Sequence, residues 1–174
     1  MTNISIIAVR KQLIITLTLC GIAVIAPLFH SQLITGSIVN AALFGAVMLA
    51  GFRAAASVAV IPSLIALAVG TLPLTMAPMI PFIMVSNIAL AGVFALLKKT
   101  NYWLAAISAS LIKFGLLILS ANIILGTITH GQMTLALASM MGWPQLITAI
   151  LGAVLAYVFL KNGGNSFAES NLLH

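Results

Sequence analysis

The sequence predicts an all-α fold: an integral membrane bundle of six transmembrane helices with both termini in the cytoplasm. Three observations carry this. Of the 174 residues, 63% are hydrophobic and 5% charged, and the mean hydropathy is +1.27, whereas about a quarter of a soluble domain is charged. Such a chain has too little polar surface to cover a globule in water. Apolar runs close to the roughly 20 helical residues that cross a bilayer core recur along the whole length. Lysines and arginines fall between those runs and divide the connections into a basic set and an uncharged set.

The six runs are Gln12 to Phe29, Ser37 to Phe52, Ala54 to Val69, Ala77 to Leu97, Tyr102 to Leu125 and Trp143 to Leu160. The first begins behind Arg10 and Lys11 like a signal peptide, but Pro27 directly follows the small residues and blocks cleavage, so the helix is expected to be retained. The second and third meet at a tight joint, Gly51, Phe52 and Arg53. A single kinked helix there would leave Arg53 in mid-bilayer at a cost of about 3 kcal/mol, and a turn costs less. Gly70 to Pro81, with prolines at 73, 78 and 81, cannot be regular helix throughout and is expected as a loop or lid over the outer face. Pro144 suits the first turn of the last helix, where its missing N–H costs nothing. Residues 1–161 then form one membrane domain, and the polar segment from Asn162 to His174 is expected to be disordered.

With the amino terminus inside, Arg10, Lys11, Arg53, Lys98, Lys99 and Lys161 all fall on the cytoplasmic side. The outer connections, residues 30–36, 70–76 and 126–142, hold no lysine or arginine. This division predicts a multi-pass protein of the cytoplasmic membrane. The net charge of +6 comes from residues scattered among helix ends rather than from one basic face, so lipid, and no nucleic acid, is the expected macroscopic partner.

Composition also excludes functions. Cys20 is the one cysteine, which rules out an intrachain disulfide or a cysteine-held metal cluster. Glu169, in the tail, is the one carboxylate side chain, so no intramembrane acid is present to hold a metal for lipid-phosphate chemistry or to relay protons. No nucleotide-binding Gly-x-x-x-x-Gly-Lys motif occurs. The chain is read as a non-enzyme without a cofactor.

Polar residues inside the bilayer carry the functional signal. Lys113 lies about 12 residues, roughly 18 Å, from the inner end of the fifth helix, too deep to reach water. Ala106, Ala109, Ser110, Lys113, Leu117 and Ser120 fall on one side of that helix, mostly small or polar, as suits a face turned to the bundle. Three roles fit the lysine: a counter-charge for an anionic ligand, a neutral buried amine, or a partner for backbone carbonyls freed by a proline such as Pro62. Asn40, Asn122 and Gln145 are expected on the outer half, and Ser86 and Asn87 near the level of Lys113, together outlining a pocket that opens outward. Each amide alone is as well explained by an interhelical hydrogen bond.

The stretch from Gly36 to Leu97 carries a resemblance. Gly36-Ser-Ile-Val-Asn40, then Gly51, Ile61-Pro-Ser-Leu-Ile-Ala-Leu-Ala-Val-Gly70, Leu72-Pro-Leu74 and Pro81-Phe-Ile-Met-Val-Ser-Asn87 resemble the substrate-binding S-component of energy-coupling-factor (ECF) transporters. The resemblance implies a subunit that captures a vitamin or similar micronutrient from outside, working with a transmembrane coupling subunit and two ATPases. It implies pocket roles for Asn40 and Asn87, and a lid before Pro81. The first helix lacks the strict Ala-x-x-x-Ala docking motif of that family; Thr16, Cys20 and Ala23, with Ala55 and Ala59, are the looser small-residue candidates for docking. The alternative class is a non-transporting six-helix assembly, scaffold or pore protein, since small-residue stripes such as Gly152 and Ala156 serve any helix contact.

Overall fold

The computed structural model describes the backbone of residues 2–70, 74–127 and 140–170, and within these every element is helical. In chain order they are α1 (Thr2–Ile25), a 3-10 turn (Ala26–Phe29), α2 (Gln32–Leu49), α3 (Phe52–Ala68), a 3-10 segment (Leu74–Met79), α4 (Ile80–Leu97), α5 (Tyr102–Thr127) and α6 (Trp143–Ser170). Five of the helices are long and apolar enough to cross a membrane, and α3 is a shorter apolar helix. Its 17 residues rise about 26 Å, a little less than the roughly 30 Å of a hydrocarbon core.

The joint between the second and third runs is a turn, with Arg53 exposed in the first turn of α3. Gly51 makes the turn: its φ of 89° lies in the left-handed region, and its N–H closes α2 by donating to the Ala46 carbonyl at 2.9 Å. Two boundaries differ from the sequence reading. Helix α2 starts at Gln32, so residues 32–36 are not a loop; Thr35 Oγ1 donates to the Ala26 carbonyl at 2.9 Å and ties this extra turn to the end of α1. The segment expected to be disordered from Asn162 continues α6 through Ser170. No proline interrupts it, and each residue added to an existing helix closes one more backbone bond without a new nucleus. Residues 71–73 and 128–139 of the outer connections lie outside the described residues.

Small side chains fill the interior and large ones line the outside. Ala46, Ala55, Ala91, Ala105, Ala109 and Ala149 are fully buried, while Phe159 is 67% and Ile7 66% exposed. That inversion is how helices pack when the solvent is hydrocarbon: burying a leucine gains little against lipid tails, whereas small residues let backbones approach.

The basic residues gather at one end. Gln12, next to Arg10 and Lys11, donates to the Ala50 carbonyl at 3.3 Å, and Lys98 Nζ donates to the Val47 carbonyl at 2.9 Å. Tyr102 Oη donates to the Ala153 carbonyl at 2.7 Å. The Tyr157 ring stacks on Tyr102 and Trp103 at 5.2 and 5.0 Å, just before Lys161. Lysine beside the last carbonyls of α2 complements the negative end of that helix. The Lys98 bond also shows that α2 and α4 end at the same side and run parallel.

The most extensive contact joins α2 and α6, and two glycines permit it. A Cβ on Gly152 would stand 2.5 Å from Asn40 Cβ and 2.8 Å from the Ala41 nitrogen, and one on Gly36 would stand 2.8 Å from Thr148 Cγ2. Gly152→Ala is expected to force the two helices apart and lower stability by about 1–3 kcal/mol. Gly115→Ala, whose new carbon meets nothing within 4 Å, is expected to leave stability unchanged or raise it through better helix propensity. Thermal unfolding of both variants in detergent checks the pair.

Candidate functional site

Helix α5 turns one face inward as its pattern requires: Ala106, Ala109, Ser110, Lys113, Leu117 and Ser120 are all buried. The two serines satisfy themselves locally, Ser110 Oγ on the Ala106 carbonyl at 2.7 Å and Ser120 Oγ on the Leu116 carbonyl at 2.6 Å. Lys113, 4% exposed, cannot do this and reaches across the bundle. Its Nζ donates to Asn40 Oδ1 on α2 at 2.6 Å. Among the described residues this is its one hydrogen-bond partner, so the carbonyls around Pro62 do not supply one.

The hydrogen-bond polarity of the cluster follows from its chemistry. Lysine only donates, so Asn40 must present its oxygen to Lys113 and its NH2 elsewhere. That NH2 donates to Thr148 Oγ1 on α6 at 3.4 Å, and Thr148 in turn donates to the Gln145 carbonyl at 3.1 Å. With its proton committed to a carbonyl, Thr148 offers Asn40 a lone pair. The close approach of α2 and α6 at Gly36 and Gly152 makes this chain geometrically attainable.

Two further polar atoms lie about one turn outward of this cluster. The Phe44 and Phe94 rings meet edge to face at 4.8 Å and set the register of the parallel helices α2 and α4. Ser37 lies about two turns before Phe44, and Asn87 about two turns before Phe94, on the faces those rings define. Among the described residues, Ser37 Oγ and Asn87 Oδ1 are buried without a hydrogen-bond partner. On the outer side Met79, Leu117, Ala121 and Met141 pack together, with Phe82 and Ile83 against them. Leu117 is one turn beyond Lys113, so this cluster roofs the site. The pocket expected to open outward is therefore closed there: methionines carried by the connecting segments are flexible enough to fill the gap.

The expected ligand-contact residues divide. Lys113 and Asn40 come together, and Asn87 is buried on α4. Ser86 is buried, but its hydroxyl donates to the Ile83 carbonyl of its own helix at 2.9 Å. Asn122 has the right depth and the wrong direction: at about 3.6 residues per turn it falls opposite Lys113 on α5, where it is exposed. Gln145 is half-buried at the rim, where it and Gln32 both donate to the Met140 carbonyl at 3.2 and 2.6 Å. Thr148 and Ser37 were not among the sequence candidates. The helical period offers a signal for both, since Ser37 is one turn from Asn40 and Thr148 is one turn from Gly152.

Four of the docking candidates lie inside the bundle. Cys20, Ala23, Ala55 and Ala59 are buried in the protein's own core, where they let α1 and α3 approach. Thr16 Oγ1 bonds back to the Gln12 carbonyl at 2.7 Å. A small-residue stripe reports close helix contact without saying whose helix is contacted. Two apolar clefts lie instead on the outer face among α1, α2 and α6, of about 650 and 620 Å³. Ile22, Ala41, Gly45, Ala156 and Phe159 line the first, and Lys11 stands at the edge of the second; neither includes Lys113.

No protein-family model, curated protein or solved structure matches the chain.

The Asn40–Thr148 link is testable by a double-mutant cycle. Thr148→Val is isosteric but takes away the acceptor, and it is expected to cost about 1–2 kcal/mol by stranding the Asn40 amide. In an Asn40→Leu background the same change is expected to cost little. Losses that simply add, measured by thermal unfolding, would contradict the bond.

Proposed function

We propose that this protein is the substrate-binding membrane subunit of an ECF-type ATP-driven importer, capturing a small anionic vitamin or micronutrient from outside. In this reading the chain crosses the cytoplasmic membrane six times with both termini inside, in line with the single basic end of the bundle. The observation that carries the reading is Lys113. A cationic side chain at this depth costs several kcal/mol unless it is paired, and its partner is a neutral amide. The chain's one carboxylate side chain belongs to Glu169, near the end of α6 and outside the six apolar runs. An anionic ligand supplies the missing charge, and Asn40 holds the ammonium in place until it arrives.

Energy for release comes from partners in this account, because the chain carries no nucleotide-binding motif. The coupling subunit seats a helix in the apolar cleft among α1, α2 and α6, where Ala41, Gly45 and Ala156 keep the wall low enough for close backbone approach. That face takes over the docking role first read from Cys20, Ala23, Ala55 and Ala59.

A thermal-shift screen of the purified protein against a vitamin panel tests the reading. A ligand at 100 times its dissociation constant adds about 2.7 kcal/mol of stability. Lys113→Met is expected to stay folded and to lose that shift, since removing one partner of a buried charge pair costs about 2–5 kcal/mol of binding. An equal shift in the variant would reject the charge role, and silence across the panel would favour a scaffold.

A further inference from the structure

We infer that the ligand of this site is a small organic acid that also carries an N–H or O–H donor, held about one helical turn outward of its anionic group. This rests on the anion reading of Lys113 and adds the second half of the recognition. Lys113 supplies donors alone, and the described residues occupy one of them, through Asn40. Asn87 Oδ1 is the opposite case: an acceptor, 3% exposed as a residue, with no donor bonded to it among the described residues. A ligand that answers both must accept at one end and donate at the other. Ser37 Oγ, also without a partner among the described residues, is at the depth of Asn87 by the register of the Phe44–Phe94 contact and can either donate or accept.

The spacing follows from the register. Long helical side chains point back toward the start of their helix, so Lys113 Nζ drops inward to Asn40, while Ser37 and Asn87 lie about one turn, roughly 5 Å, further out. Phe44 and Phe94 lie on the inner side of these groups and Met79, Leu117 and Met141 on the outer side, so the ligand's polar ends are matched between two apolar layers. A simple inorganic anion such as sulfate would answer Lys113 and leave Asn87 unmet. A water on Asn87 would satisfy that oxygen and leave the lysine without a counter-charge. A metal cation would meet a lysine and no carboxylate.

The test uses the full-length protein and matched pairs of low-molecular-weight acids: lactam, cyclic-urea and imide carboxylic acids, each beside its N-methyl derivative and its methyl ester. Acids with a free N–H are expected to bind and raise the melting temperature, and the N-methyl partners to bind at least about tenfold more weakly. Asn87→Leu is expected to erase the difference within each pair while keeping acid binding, and its own melting temperature to stay level or rise, because the orphan acceptor goes with it. Ser37→Ala serves as a second variant and is expected to weaken the free N–H acids while keeping them ahead of their N-methyl partners. Equal binding of N–H and N-methyl acids to the native protein, or a pair difference that survives Asn87→Leu, would overturn the proposal. Esters that bind as well as acids, or acids that bind Lys113→Met undiminished, would overturn the anion reading beneath it.

Discussion

The 2.6 Å bond from Lys113 Nζ to Asn40 Oδ1 joins α5 to α2 in the middle of the bundle, and much of the interior is arranged around it. An ammonium among alanines and aromatic rings needs an acceptor, and the chain provides an amide rather than a carboxylate. A carboxylate would have closed the account internally as an ion pair. The amide orients the lysine and brings no negative charge of its own. Asn40 is oriented in turn by Thr148, and Thr148 by the Gln145 carbonyl, which carries the constraint to the outer end of α6.

Backbone packing makes this chain of bonds attainable. Without side chains at Gly36 and Gly152, α6 comes close enough to α2 for Asn40 to touch two helices at once. Alanine does similar work elsewhere: Ala55 and Ala59 admit α1 against α3, and Ala105, Ala106 and Ala109 keep the face of α5 low around the lysine. Large apolar side chains go outward to lipid. The interior therefore combines small residues where helices cross with a few large ones, Phe44 and Phe94 among them, and the buried polar cluster adds to the register that those rings set.

Much of this was legible in the sequence because depth and charge leave strong one-dimensional traces. Helix spacing, the basic end, the turn at Gly51 and the inward face of α5 all follow from periodicity and from the cost of placing Arg53 or Lys113 in lipid. Direction around a helix was used less well. Asn122 sits at a suitable depth, yet the helical period that put Lys113 and Leu117 on one face places it on the other. The docking stripe is ambiguous for a different reason: Cys20, Ala23, Ala55 and Ala59 pack in the chain's own core, and sequence alone does not separate contact within the chain from contact with a partner. The extension of α6 to Ser170 was hidden by its polar composition, which governs burial more than it governs continuation of a helix already formed.

The central claim is that Lys113 holds an external anion, and the most direct measurement is the cargo itself. The protein is purified in mild detergent beside Lys113→Met, both are denatured, and the released small molecules are identified by mass spectrometry. The account requires an acidic small molecule released in stoichiometric amount by the native protein and missing from the variant. The same molecule recovered from both, or a neutral or cationic one from the native protein, would contradict it.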